Sequence, residues 1–458
     1  MTDHSAIAAI RFGTGLPLAA GSPVTPDTML AMLAGPDHAA QAWPAPGLAG
    51  ALPLMAAVDA TRGKNGKKRQ AANAAAILAE RQAALQAVME GWRRGTRATL
   101  ARSIAGQDGF RERLVRFWAD HFTTIARNGR ERMLPLTLVE DAIRPQLNWR
   151  FSDLLQAVTL HPAMLVYLDQ DASVGPGSAI GKRKNRGLNE NLGRELMELH
   201  TLGVRADYTQ TDVREMAELL TGLGFDPEQG FVFRRRWAEP GAETVLDGRF
   251  GGDGLQPIHA ALEMLATHPE TARHIAGKLA VHFVSDQPDA DLVATMERAF
   301  LDSGGDLPTV YAAMLNHPAA WGPLGGKVRQ PYDFVTAGLK ALGVTGAQVT
   351  GMPWRRLDRL AIAPLAGMGQ TFLRPGGPNG WPEEAEAWIT PQGLASRIIW
   401  AMDVPQRLLG GEFPDPVRFA GHVLGDAAGE ALLRAASRAE TRREAVGLVL
   451  ASPEFNRR

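Results

Sequence analysis

Apolar residues recur at helical spacing over most of the chain, and this periodicity predicts a fold made of helices. From about 70 to 103, Leu78, Leu85, Val88, Met89 and Trp92 fall at core spacing, which predicts one long helix that Gly91 and Gly95 can bend. Further helices are predicted near 107–125, 130–147, 162–168, 191–202, 211–221, 255–266, 270–284, 290–301, 307–315, 331–342, 357–366 and 392–408, with the last between about 415 and 450. Only 231–236 and 244–246 read as strands, and their place on either side of Pro240-Gly241 predicts one small β-hairpin. The expected fold is therefore mainly α, a large irregular helical array or bundle. Residues 1–225 would form an N-terminal helical part, 226–253 a hairpin connector and 254–458 a C-terminal helical part, unless all three are one continuous domain.

A short pattern punctuates these helices: LHPAM at Leu160, THPET at Thr267, NHPAA at Asn316 and ASPEF at Ala451. Each places Pro at the first turn of a helix with His or Ser just before it, which predicts a capping role for His161, His268 and His317 rather than a metal or catalytic one. The long irregular stretches are 173–187 and 374–382, where binding surfaces tend to lie. The first, rich in Gly, Ser, Lys and Arg, is expected to be mobile because it has little apolar area to bury. Trp381 and Trp388, in and beside the second, would brace the loop or line a pocket.

The richest segment is NENLGRELMELHTLGV at 189–204. Wound as a helix, it puts Leu192, Leu196 and Leu199 on one stripe with Leu202 at its edge, and Glu190, Arg194 and Glu198 on the far side. Glu195 and His200 flank the stripe and are expected to be half buried. A carboxylate in that position needs a cation from another element. Gly203 reads as the helix stop, and Thr209 with Asp212 as the capping box that starts the next helix.

Asn191, Glu195 and Glu198 share a face at i, i+4 and i+7, and such an oxygen set suits Mg²⁺, Mn²⁺ or Ca²⁺ if a second helix completes it. The best second helix is 113–125, with His121 beside Phe117, although a lone histidine there is as well explained as a satisfied core residue. On 270–284, Glu270, His274, Lys278 and His282 form a column at i+4 steps. Lys278 would repel a metal, so that column reads as ion-paired or as an anion site, with Lys278 and His282 as the cations Glu195 needs. The catalytic candidates are thus His121, Glu195, His200, Lys278 and His282. No Gly-x-Ser-x-Gly elbow, His-Glu-x-x-His pair, phosphate-binding P-loop or Glu-x-x-His repeat is present.

NENLGRELMELHTLGV followed by YTQTDVREMAELLTG resembles the signature of the bacterial family designated domain of unknown function 1800. The resemblance extends to Arg11-Phe12-Gly13, RERLVRFWADHF at 111–122, LHPAMLVYLD at 160–169, HPETARHIAGKLAVHFVSD at 268–286, KVRQPYDFV at 327–335 and MGQTFLRPGGPNGWP at 368–382. It implies no particular activity. It does imply relatives with export signals and a gene neighbourhood shared with an alkaline-phosphatase-like family, which is the partner the resemblance suggests. The chain departs from the pattern once. Where relatives tend to carry His-Asp-x-Gly-x-Lys, it has Ala238-Glu239-Pro240-Gly241-Ala242-Glu243.

Composition narrows the field. The 458 residues carry 49 Lys plus Arg and 49 Asp plus Glu, so no net field favours nucleic acid or an acidic membrane surface. The basic runs RGKNGKKR at 62–69 and KRKNR at 182–186 read as solvated loops. The absence of cysteine removes disulfides, thiolate nucleophiles and thiolate metal sites. No apolar run is long enough to span a bilayer, and the first twelve residues lack a signal-peptide layout. The chain as written is expected in the cytoplasm, or in the periplasm or outside the cell if its natural start lies upstream. Two functions stand open: a helical enzyme whose Glu/His site does acid/base or metal-assisted chemistry, and a non-catalytic scaffold whose loops bind a protein partner.

Overall fold

The computed structural model describes residues 4–16, 24–61, 66–184 and 187–458. It is mainly helical, as the periodicity predicts. The basic runs at 62–69 and 182–186 fall partly outside the described residues. The long helix runs unbroken from Gly66 to Ala105. Gly91 and Gly95 do not interrupt it; they let another segment approach, since a Cβ on Gly91 would meet Met133 Sδ at 2.5 Å and one on Gly95 would meet Leu136 Cδ1 at 2.8 Å.

The punctuation behaves as its chemistry dictates. His161, His268 and His317 each accept a backbone N–H through Nδ1, from Ala163, Glu270 and Ala319 at 3.1, 3.1 and 3.2 Å, and Ser452 Oγ accepts from Phe455 at 3.1 Å. Gly203 takes φ 90°, and Thr209 and Asp212 form the reciprocal capping box.

The strands depart from expectation. Two hairpins form instead of one. β1 (Leu223–Asp226) pairs with β2 (Gly230–Phe233), and β3 (Ala242–Val245) pairs with β4 (Gly248–Gly251). The 231–236 run therefore pairs backward with β1 rather than forward across Pro240. Asp226 Oδ1 receives the amides of Glu228 and Gln229 at 2.9 and 3.0 Å, which closes the first turn, and Leu246 at φ 51° with Asp247 closes the second. The 173–187 stretch is also more regular than its composition suggests. It contains a helix at Ala179–Lys184, buries Val174 and Ile180, and ties Gly175 and Ile180 to the carbonyls of Trp237 and Arg236. Residues 185–186 of that stretch lie outside the described residues.

Two large apolar cores result, with a smaller cluster of Ala51, Val58, Val88 and Met133 beside the long helix. One gathers residues from Ile7 to Ala320 and is dense in rings, with Phe12, Phe110 and Phe283 in contact, Trp118, Phe122 and Phe151 in contact, and Phe117 joining the two groups. The other joins Leu100, Ala101 and Ile104 of the long helix to residues from Tyr332 to Phe455. The Gly109–His121 helix packs Leu114 and Trp118 into the first core, and the Pro331–Ala341 helix packs Phe334 and Val335 into the second. Between these helices lies buried charge, the setting of the site below.

Elsewhere on the Gly109–His121 helix, Glu112 meets Arg144 in a bidentate pair of 2.9 and 2.8 Å, with 2% and 7% of the two residues exposed. Asp37 adds a third contact to Arg144 at 2.7 Å. Glu112→Leu strips a buried guanidinium of its main partner and should cost about 3 kcal/mol in denaturant unfolding. Asp37→Asn, at the more exposed end, should cost less; equal losses would contradict this ranking.

Candidate functional site

The structure brings some of the sequence candidates together and separates others. His121 and His200 meet: His121 Nε2 lies 3.1 Å from the His200 carbonyl, and the rings are 6.2 Å apart with His274 on the other side of His121 at 6.1 Å. His121 and His200 are sealed, and burial, followed by the nearby Lys278 charge, holds His121 well below its ordinary pKa and His200 at about 3. They are neutral core histidines. The His200 helix also ends differently from the ideal wheel: after Asn191–Glu195 the turn widens over Leu196–His200, and Thr201 Oγ1 donates to the Leu196 carbonyl at 2.7 Å.

Glu195 does not find the cation expected for it. It is half buried, and among the described residues no side chain from another element forms a hydrogen bond or ion pair with it. Its carboxyl is raised by burial and then by Glu198, with Arg194 of its own helix opposing. Asn191 is exposed on the preceding turn. The expected partners, Lys278 and His282, face a different pair of carboxylates, Asp120 and Glu383.

Asp120 lines a cavity of about 120 Å³, and Glu383 lies behind it, bonded to the lining residue His282. Val115, Ala119, Leu136, Val139, Leu365 and Phe372 supply apolar walls, and Arg116, Asp120, His282, Gln330, Tyr332 and Gln370 the polar ones. Helical spacing places Arg116 and Asp120 on one face of Gly109–His121, and Lys278 and His282 on one face of Pro269–Phe283. The 374–382 loop closes over Asp120: the Trp381 amide donates to Oδ1 and Oδ2 at 2.9 and 3.2 Å. Gly380, at φ 75°, allows this approach, because a Cβ there would come within 2.8 Å of Asp120 Oδ1.

Polar contacts fix each group. His282 Nδ1 donates to Glu383 Oε1 at 2.5 Å, and Lys327 Nζ sits 2.9 Å from Glu383 Oε2 and 2.6 Å from Asp286. Burial raises the Glu383 carboxyl, but His282, Lys327 and Arg458 outweigh it and hold the group well below the carboxylate range. Burial pulls His282 below its ordinary pKa against the pull of Glu383; the carboxylate can only accept, so Nδ1 carries the proton of that contact, and Nε2 is buried and unpartnered among the described residues. Burial pushes Asp120 up to about 7; the Trp381 amide, Lys278 and Arg116 lower it and Glu383 raises it. Arg113 and Arg116 share Asp333, the former at 2.9 Å, and Arg116 lies 4.4 Å over the Tyr332 ring. Gln370 accepts from the Tyr332 amide at 2.8 Å and donates to Gln330 at 2.9 Å.

Sequence reasoning singled out His282 and Lys278 but missed Asp120, Glu383, Arg116 and the two glutamines. One signal was available: Arg113, Arg116 and Asp120 recur at i, i+3 and i+7 on a helix otherwise committed to the core. Another was the placement of the resembling segments, four of which (111–122, 268–286, 327–335 and 368–382) meet at this cavity.

A second polar cluster lies at the hairpins. Among the described residues, Glu215, Glu218 and Glu243 place carboxylate oxygens within 4.8 Å of one another. Glu243 is pushed up to about 7 by burial and then by Glu215. A carboxyl raised in the folded state favours folding at low pH, and that contribution is lost as pH rises from 4.5 through about 7. Glu243→Gln and Glu243→Lys should therefore leave the melting temperature unchanged near pH 4 and raise it by on the order of 1 °C or more at pH 8. A gain equal at both pH values would contradict the assignment.

The molecule is thus a mainly helical protein with a largely apolar-walled cavity lined by Asp120 and by His282, which is hydrogen-bonded to Glu383. The chain belongs to the family described as proteins of unknown function (DUF1800), whose profile matches residues 26–457. No curated protein and no solved structure matches it.

Proposed function

We propose that this protein is an enzyme whose cavity performs acid/base chemistry on a small molecule, with His282 as general base and Asp120 as general acid. The observation that carries this reading is the Glu383–His282 contact of 2.5 Å beside a cavity that His282 and Asp120 both line, with Nε2 buried and unpartnered among the described residues. A carboxylate on Nδ1 fixes the tautomer and stabilises the imidazolium that forms when Nε2 takes a proton. Asp120, near pH 7, holds a proton it can give up. Among the described residues no hydroxyl or thiol bonds to Nε2, so the base acts on the substrate or on a water rather than on a protein nucleophile.

The tautomer is the first test. Nitrogen-15 NMR at pH 7 should show His282 neutral with its proton on Nδ1, and an imidazolium or an Nε2–H ring would sink the proposal. Turnover is the second, sought among activated esters, amides and phosphate esters. The rate should be flat below about pH 7 and fall above it as Asp120 loses its proton. His282→Gln and Asp120→Asn should each lower kcat by about 10²–10⁴, and Asp120→Asn should abolish the alkaline fall. Variants that turn over as well as the natural protein would refute the assigned roles.

A further inference from the structure

The charges around the cavity do not balance. Arg113 and Arg116 divide one carboxylate, Asp333, between them. Two deeper guanidiniums form no ion pair among the described residues, although the Glu383 charge acts on Arg458. Arg329 donates to the Gly15 carbonyl, leaving Nη1 buried without a partner; Arg458 donates to the carbonyls of Arg11 and His282, leaving Nε so. Desolvated guanidiniums of one sign repel one another, and Arg329 falls to about 9 through burial and then through Arg113 and Arg397. Of these cations Arg116 lines the cavity itself, and a fixed positive charge on its wall favours an anion in that space. The apolar walls from Val115 to Phe372 favour a hydrocarbon body on the same ligand.

We infer that the cavity binds a small organic carboxylate with an apolar body, and that its carboxylate enters together with one proton taken up by Asp120. This rests on the acid/base reading of the same site. The proton follows from the groups that surround Asp120. From its own helix Arg116 opposes protonation; from Pro269–Phe283 Lys278 does the same; from the covering loop Glu383 favours it while the Trp381 amide does not. A ligand carboxylate adds a second negative charge beside Asp120, and two carboxylates in one enclosed space share a proton rather than both ionising. Protonated, Asp120 donates a hydrogen bond to the ligand; ionised, it repels it. Arg116, already on the cavity wall, is the cation nearest to hand.

Benzoate is the probe, with benzyl alcohol, benzylammonium and inorganic phosphate as controls, measured by calorimetry on the full chain at pH 6, 7 and 8. Benzoate should bind at least about tenfold more tightly than each control at pH 6. Its affinity should fall toward about tenfold per unit above pH 7, with close to one proton taken up per ligand at pH 8 and little at pH 6 when buffers of different ionisation heat are compared. Asp120→Asn should keep benzoate binding and flatten its pH dependence, and Arg116→Met should weaken it about tenfold. Binding of benzyl alcohol or benzylammonium equal to that of benzoate, no benzoate binding, or binding without proton uptake at pH 8 would each overturn the inference. Phosphate binding in preference to benzoate would overturn the organic carboxylate as the ligand. These measurements need no turnover, so they fail independently of the His282 tautomer: an Nδ1–H ring without benzoate binding leaves the acid/base reading standing and removes this one.

Discussion

A single carboxylate, Asp333, holds the molecule's interior together electrically. It sits on a helix whose neighbours build one apolar core and meets Arg113 and Arg116 on a helix whose neighbours build the other. Charges so far from water are costly unless paired, and their mutual attraction restores the balance only when geometry is tight. The pairing therefore demands that the two helices meet in one register. Once they do, Arg116 is fixed over Tyr332, Asp120 faces the cavity one turn later, and Gln370 reaches the Tyr332 amide. Much of the cavity's polar lining follows from satisfying this contact.

The helical framework was legible because periodicity and caps are local properties. A stripe of leucines, a His-Pro pair or a Thr-x-x-Asp box carries its own physics within one or two turns, and those elements stand where they were expected. The hairpins were misread for an equally local reason. Asp226 through Gly230, and Asp247-Gly248, are turn signals, but Pro240-Gly241 drew the eye as the more familiar corner.

The site was only half legible. His282 and Lys278 were visible as a polar column, yet their partners come from positions more than a hundred residues away, and no periodicity reports such a meeting. Glu195, His121 and His200 attracted attention because they interrupt an apolar stripe. Burial without a charged partner has a simpler outcome for histidine than catalysis, namely loss of the proton, and a backbone carbonyl then suffices to hold the ring. Glu195 escapes the same dilemma by remaining half exposed to water.

The grip of Arg458 on the His282 carbonyl, with Arg329 bonded to Asn456 and Arg11 reaching the carbonyls of Ala320 and Gly322, stitches distant stretches of the chain around one spot. Contacts of such large sequence separation form late, because the entropy of closing the loops must be met before the contacts reward it. During translation His282 emerges 101 residues before Glu383, so the nascent chain would hold a ring-rich core before the segment around Trp381 could close over Asp120 and complete the cavity.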